Sequence, residues 1–432
     1  MCERKKPEWE AVCHHTDTCG LTGSAAFILS MPRTHLLVNG PLWCYFYALR
    51  YLENAEGVLS GRMTCTQPAQ AAVVYGTEED LLRGFEGIKK TDHPDRVFVE
   101  NNCSISMIGD DIEGIAARAD LPWPVEALDS GGIHGGFAGG WALAFLRAEQ
   151  QMKPLPKEEG TVNLLGLTPF LLKGRQDCEE IVRLLSLCGI RVLSMPGGGS
   201  SWEEIMEAPR AALNIVVRSE LALSAAEAME RDFGIPYIEA GLPYGIEGTR
   251  QWLERITGAL GQGSMRQVSE EMHRVHTAVR RKSMDMESLW GPLWFDRILV
   301  AALPSEAAGL AEAVRGEWAD TGHLEIHFQV PSGLRPPAAD AVYTCGEDDQ
   351  AIAGTYEDWE GGLLLGSAHE AARMIRMGKS FSSCTIAYPA YDEMFLSDLP
   401  FCGIRGAAYL CERLWNAKLR EKLGRRNKAG QE

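Results

Sequence analysis

Cys19, Cys44 and Cys103 fall where three strand-to-helix turns of an α/β domain belong. Cys19 opens Cys19-Gly-Leu-Thr-Gly-Ser-Ala-Ala, Cys44 ends Leu36-Leu-Val-Asn-Gly-Pro-Leu-Trp-Cys44, and Cys103 opens Cys103-Ser-Ile-Ser-Met-Ile-Gly-Asp-Asp111. Thiolates are soft ligands of the kind iron–sulfur clusters require. Thiols far apart in sequence converge on one site when they share one edge of a sheet. The local spacing is not that of a ferredoxin run, so two readings stand. The cysteines are small buried residues at helix starts, or they are ligands whose thiolate form a helix N-terminus favours by lowering the thiol pKa. The upstream Cys13-His-His-Thr-Asp-Thr-Cys19 holds zinc-type residues but neither a Cys-x2-Cys pair nor a finger spacing.

Other stretches carry weaker signals. Asp129-Ser-Gly-Gly-Ile-His-Gly-Gly-Phe-Ala-Gly-Gly140 is dense in glycine, which implies unusual backbone angles or a close approach. His134, Gly135 and Gly136 there are candidate pocket residues, against the alternative of a solvated loop. Met195-Pro-Gly-Gly-Gly-Ser-Ser-Trp-Glu-Glu204 lacks the dinucleotide and Walker signatures and reads as a tight turn with a Ser N-cap. Asp110 and Asp111 suit the positive end of the helix that follows them. No Ser/His/Asp set stands out and no His-Glu-x-x-His is present.

The elements that must position these residues follow a strand, glycine turn, helix pattern. Expected strands are His35–Asn39, Ala71–Tyr75, Arg96–Glu100 and Val125–Leu128, with helices at Cys44–Glu53, Glu78–Lys89, Ile112–Ala119 and Gly140–Met152. Such alternation builds a parallel sheet with right-handed crossovers, whose ligands bind at the carboxyl ends of the strands, and the three cysteines are expected near that edge or on the loop leading into the first strand. A polar linker at Met152–Gly160 precedes strands at Val162–Leu167, Arg191–Met195, Leu213–Val217 and Pro236–Ile238 and a long helix within Gly263–Trp290. A last set has strands at Arg297–Leu303, Leu324–Val330, Ala341–Cys345, Gly362–Gly366 and Thr385–Tyr388 and a terminal helix Gly406–Lys422. The expectation is three open α/β domains: 1–155 with the three cysteines, 156–290 with the long helix, and 291–432.

Composition narrows the class. The 432 residues exceed one ordinary core. With 42 Lys and Arg against 59 Asp and Glu, the net charge of −17 argues against a nucleic-acid footprint. No apolar run reaches the roughly 18 residues of a membrane span, and the first residues lack a secretory pattern. A cytoplasmic location is expected, where the 12 cysteines suit metal ligation or burial better than disulfides.

Taken in order, Cys19-Gly-Leu-Thr-Gly-Ser-Ala, Asn39-Gly-Pro-x-x-Cys44, Ala71-Ala-Val-Val-Tyr-Gly-Thr-Glu-Glu-Asp-Leu-Leu82, Cys103 with Ile108-Gly-Asp-Asp111, Gly135-Gly-Phe-x-Gly139, Leu213-Asn-Ile-Val216, Phe233-Gly-Ile-Pro-Tyr237 and Pro400-Phe-Cys-Gly-Ile-Arg-Gly-Ala407 resemble the nitrogenase component-one superfamily over nearly the whole chain. The resemblance implies three Rossmann-like domains with parallel sheets. It implies a dimer, or dimer of dimers, of homologous or identical subunits sharing an interface iron–sulfur cluster, 4Fe-4S or larger, with Cys19, Cys44 and Cys103 as ligands. It also implies a separate ATP-dependent homodimeric reductase with its own 4Fe-4S cluster. The chain departs from the family at Asn39, where many relatives have His. It also has no cysteine in Asn214-Ile-Val-Val-Arg-Ser-Glu220 and no clear counterpart of the cofactor-binding His in Tyr388–Gly403. A nitrogenase-type molybdenum cofactor is therefore not expected. The implied function is that of a catalytic-component subunit passing low-potential electrons through the cluster to a substrate. The alternatives are a cofactor-assembly scaffold and a binding protein that lost the cluster. Cys384 and Cys402 are read as buried residues or as neighbours of the cleft.

Overall fold

The structure, a computed structural model, describes residues 18–429. Thr18–Cys178 with Arg191–Glu239 make one compact unit, and Glu179–Ile190 with the chain from Ala240 make the other.

The first unit holds two sheets. In chain order, α1 (Gly20–Ser30), β1 (Thr34–Asn39), α2 (Leu42–Glu56), β2 (Met63–Cys65), α3 (Ala72–Tyr75), α4 (Glu78–Thr91), β3 (Arg96–Asn101), α5 (Cys103–Ser106), α6 (Ile112–Arg118), β4 (Val125–Asp129) and α7 (Phe137–Glu149) form the first layer set. Its strands run parallel in the order β2-β1-β3-β4. Every residue of β1 is buried, as expected of a strand covered on both faces. α4 is typical of the covering helices. Glu78, Glu79 and Asp80 sit at its positive end, Lys89 and Lys90 at its negative end, and Leu81, Phe85 and Ile88 face the sheet.

Two local expectations are corrected. Ala71–Tyr75 is not a strand: Ala72–Tyr75 is a helical turn stopped by Gly76 at φ 83°, and Val74 and Tyr75 are exposed. Its apolarity belongs to the surface, and the strand beside β1 is instead the three-residue β2. The segment leading into β1 is not a loop but α1, buried from Gly20 to Leu29. Glycines bring α1 against α7: a Cβ on Gly140 would overlap the Gly20 carbonyl, and one on Gly23 the Phe137 carbonyl. Phe27 packs beside Trp141 and Phe145.

The second sheet, β5 (Glu158–Leu165), β6 (Arg191–Ser194), β7 (Ala211–Val216) and β8 (Tyr237–Glu239), is parallel in the order β6-β5-β7-β8. α8 (Gly174–Leu187), α9 (Trp202–Met206) and α10 (Ser219–Phe233) intervene. Ser201 and Glu204 make the reciprocal cap expected at the start of α9.

The other unit carries α11 (Ile246–Leu260), α12 (Arg266–Trp290), β9 (Trp294–Ala302), α13 (Pro304–Ala313), β10 (Asp320–Phe328), β11 (Ala341–Thr344), α14 (Asp349–Glu357), β12 (Leu363–Gly366), α15 (Ala368–Arg376), β13 (Ser382–Thr385) and α16 (Gly403–Ala429). Its parallel sheet runs β11-β10-β9-β12-β13. The last strand ends at Thr385, earlier than the apolar run to Tyr388 suggests, because Ile386, Ala387 and Tyr388 are buried beyond the ladder. Among the described residues no helix is long and apolar enough to cross a membrane.

Candidate functional site

Parallel pairing levels the strand ends of the first sheet. Asn39 pairs with Asn101 and Asn101 with Asp129, while Val38 pairs with Cys65. Cys44 and Cys103 lie on turns leaving that edge, whereas Cys19 precedes β1 and is bridged to Gly136 in the loop after β4. Cys19 is the N-cap of α1, Cys44 lies in the first turn of α2 after β1, and Cys103 opens α5 after β3.

A buried polar lattice ties these turns together. Asn39 Nδ2 donates to Asn101 Oδ1 and Thr77 Oγ1, both at 3.0 Å, and Thr66 Oγ1 donates to Asn39 Oδ1 at 3.0 Å. Asn101 Nδ2 donates to Asp129 Oδ1 at 2.8 Å. Asp110 accepts from the Thr77 amide and hydroxyl at 2.6 and 2.7 Å, and Asp111 caps α6, so both acids are engaged in positioning. The departure at Asn39 thereby acquires a role: a short amide bonded to the turns after β2 and β3. Asn102 caps α5 and its Nδ2 lies 3.8 Å from Cys44 Sγ.

The glycine loop closes the site. The 3-10 turn Gly132–His134 leads to Gly135 at φ 130°, whose carbonyl accepts from the Gly20 amide at 3.0 Å, and Gly136 forms a bridge with Cys19. A Cβ on Gly132 would stand 3.1 Å from Cys19 Sγ and 3.9 Å from Cys103 Sγ, and one on Gly131 would meet the Cys103 amide at 2.7 Å. The expected close approach is thus between segments of the chain itself, and it sets Gly132 beside two of the thiols.

Burial pushes the Cys19 thiol up despite the Leu21 amide that bonds it, and the charges of Cys103, Glu100 and Cys44 push the same way. The helix start therefore does not lower this pKa: Cys19 reaches the surface on one side, but the surrounding protein strips enough water to outweigh the helix. Glu100 is fully buried. Ser130 Oγ donates to its Oε1, while its Oε2 has no hydrogen-bond partner among the described residues. Cys19, Cys44, Cys65 and Cys103 are all free thiols. No three His, Cys, Asp or Glu side chains among the described residues group as they would around a single metal ion. A cluster spreads its irons, and so its thiolates, more widely; the two thiols beside Gly132 suit such a group. Cys13, His14 and His15 lie outside the described residues.

Sequence reasoning missed two features. Cys65, at the end of β2, joins the same edge; the only hint was a cysteine in Met63-Thr-Cys65 with no motif around it. In the second sheet, the stretch after β7 that lacks a cysteine carries Arg218, which is buried and donates to the Gly166 carbonyl at 3.0 Å.

In the other unit several buried charged groups pair with one another. Glu325 of β10 meets Arg297 NH2 at 2.8 Å, His327 Nε2 at 2.7 Å and the Thr355 hydroxyl. Arg413 pairs with Glu393. Cys384 and Cys402 are buried, and burial pushes the Cys384 thiol to about 11.

The chain's relatives share this architecture. Over 252 residues it is 29% identical to the nitrogenase iron-molybdenum cofactor biosynthesis protein NifE of Clostridium pasteurianum, covering 56% of this chain and 54% of that one. Over 247 residues it is 24% identical to a light-independent protochlorophyllide reductase polypeptide of Zygnema circumcarinatum, covering 54% and 48%. The chain thus spans about half the length of the curated relatives it matches. The solved structure titled nitrogenase Cp1 at pH 6.5 superposes with a TM-score of 0.76 at 15% identity, over 98% of this chain and 95% of that one, and shows the same α/β fold of parallel sheets. The sequence model described as Nitrogenase component 1 type Oxidoreductase matches residues 19–419, from the first of the three cysteines into the terminal helix, and the chain belongs to that family.

Proposed function

We propose that the chain is a cluster-holding subunit of a nitrogenase-like complex acting as a cofactor-assembly scaffold. The observation that carries this is that the Cys19 and Cys103 thiols both lie beside Gly132, with Cys44 in the first helical turn after β1. In this reading the three thiolates hold an iron–sulfur cluster, which would supply low-potential electron transfer. Several of the most similar relatives are cofactor biosynthesis proteins, which favours assembly over turnover.

A second subunit, homologous or identical, is supported by the surface beside the thiols. Trp43 and Tyr47 stack on the outer face of α2 while 65% and 66% exposed, with Phe46 against Tyr47, and Met107 and Ile133 are exposed on neighbouring turns. Apolar area of this kind is characteristic of a covered face. The ATP-dependent 4Fe-4S reductase, the cytoplasmic location and the absence of a molybdenum cofactor belong to the same proposal, as do the domain boundaries at 155/156 and 290/291. A substrate reductase is the second reading, supported by the likeness to light-independent protochlorophyllide reductase.

Anaerobic purification with iron and sulfide quantification and EPR tests the shared part. Iron-free protein after reconstitution, unchanged by Cys103→Ala, overturns it. Steady turnover with a cognate reductase would favour the second reading, and stable loading without turnover the first.

A further inference from the structure

We propose that the chain binds a second copy of itself through complementary charged surfaces, the basic outer stripe of α12 in one copy meeting the acidic edge of the second sheet in the other. The contact is separate from the cysteine edge and does not rest on the cluster reading.

The stripe is set by the helix. From His273 to Met284, α12 carries Arg274, Arg280, Arg281 and Lys282 and no acidic residue, in a chain whose net charge is −17. The inward side of the helix is fixed by buried Val268 and Met272, by the Ser283 hydroxyl, which accepts from Trp415 Nε1 at 3.2 Å, and by the Trp290 carbonyl, which accepts from Lys422. At about 3.6 residues per turn, Arg274 stands roughly 200° around the helix from Met272, and Arg281 the same from Ser283, so both point away from that side. They are one heptad apart and line one stripe. All four cations are exposed, and none has an ion-pair partner among the described residues. Met284, exposed one turn beyond Arg280, adds apolar area.

The acidic surface lies at an open sheet edge. β8 is an outer strand of the second sheet, and Tyr237 and Glu239 share a face of it. Glu239 Oε2 accepts at 2.7 Å from the hydroxyl of Ser219, which begins α10. Glu227 and Glu230, three residues apart on α10, are neighbours on its surface, and both are exposed. Loss of hydration raises the Tyr237 phenol, and the charges of Glu227, Glu230 and Glu239 push it the same way, as carboxylates gathered around one ring do. Glu227 and Glu230 have no cation partner among the described residues.

A second copy answers both surfaces at once. A nucleic acid would offer phosphates to the stripe and nothing to the carboxylates. Guanidinium groups pair carboxylates through two parallel bonds. The net negative charge of each copy repels at long range, but screening confines that to about 8 Å at physiological ionic strength, so local charges decide at contact. Such a contact is weak and salt-sensitive.

The test is sedimentation velocity on the full chain, purified with whatever subunit accompanies it, in a concentration series at about 0.1 M and 0.5 M sodium chloride. A larger, concentration-dependent species is expected at the lower salt, with a dissociation constant about fivefold or more higher at the higher salt. An apolar contact through the aromatic face of α2 does not weaken in this way. Reversing either surface alone, by Arg274→Glu with Arg281→Glu or by Glu227→Arg with Glu230→Arg, should abolish the species. Mixing the two variants should restore it, because each surface again meets its opposite, and restoration shows that both variants are folded. A species indifferent to salt or to either reversal overturns the inference, as does the lack of any larger species at either salt. Loss in both variants without restoration on mixing also overturns it, and leaves each surface to a different partner.

Discussion

The cysteine edge of the first sheet and the sheet of β9–β13 share a parallel architecture but treat polar groups in opposite ways. At the second, Glu325 is surrounded by Arg297, His327 and Thr355, so its charge is matched within the chain. At the first, amides and hydroxyls pair beneath the surface through Asn39 and Asn101, while the thiols sit above them on turns. The contrast separates positioning by hydrogen bonds from the ligation proposed above for the thiols. The side chains of Asn39, Thr66, Thr77, Asn101 and Asp129 bond one another and hold the turns still, leaving soft donors at the rim.

The largest expected effect at the rim is that of Cys103→Ala: iron content should fall more than tenfold while the circular dichroism spectrum stays unchanged. Retained iron would erase the distinction between the two regions. Next, Gly140→Ala forces a Cβ into the Gly20 carbonyl and should cost about 3 kcal/mol in a denaturant titration. If Cys19 is held by that contact, its iodoacetamide reactivity will rise in parallel.

Acid should distinguish the regions in the opposite sense. Burial opposes ionisation of Glu325, but its bonds to His327, Thr355 and Arg297 together hold it down to about 2. Its stabilising contribution is present above the unfolded value of about 4.3 and is lost as pH falls toward the folded one. Burial also pushes His327 down, so the unfolded chain takes up a proton first, below about pH 6.5. Both groups therefore weaken this unit on acidification. Hydrogen exchange resolved by peptide between pH 7 and 4 should show β10 opening before β1, and Glu325→Gln should flatten that pH dependence. The smallest effect is that of Asn39→Ala, which orphans buried partners and should cost about 1–3 kcal/mol by thermal unfolding. Loss confined to the turns after β1, β2 and β3 would sharpen the positioning role.

Much of this contrast can be read from sequence, but unevenly. The long apolar strands β1, β3 and β9 and the periodic helices α4 and α12 declare themselves, because burial on two faces or one leaves a pattern of the right period. β2 does not: three residues are too few for a period, and the apolar run after it is a surface turn. α1 is hidden by Gly20 and Gly23, which read as loop residues although their purpose is contact with α7. Cys19, Cys44 and Cys103 could be singled out by their framing, whereas Cys65 could not, since only strand pairing brings it alongside Val38. The Asn39 lattice was invisible for the same reason: its partners lie 38 and 62 residues away.

The packing of α1 on α7 also sets a schedule. Cys19 is among the first described residues, yet its backbone is held by Gly135 and Gly136 and its helix by residues 137–149. A nascent chain can therefore present this thiol in its final place only after residues 137–149 have been made and folded. In the proposed reading, a cluster would then be delivered to Cys19 on a domain already folded.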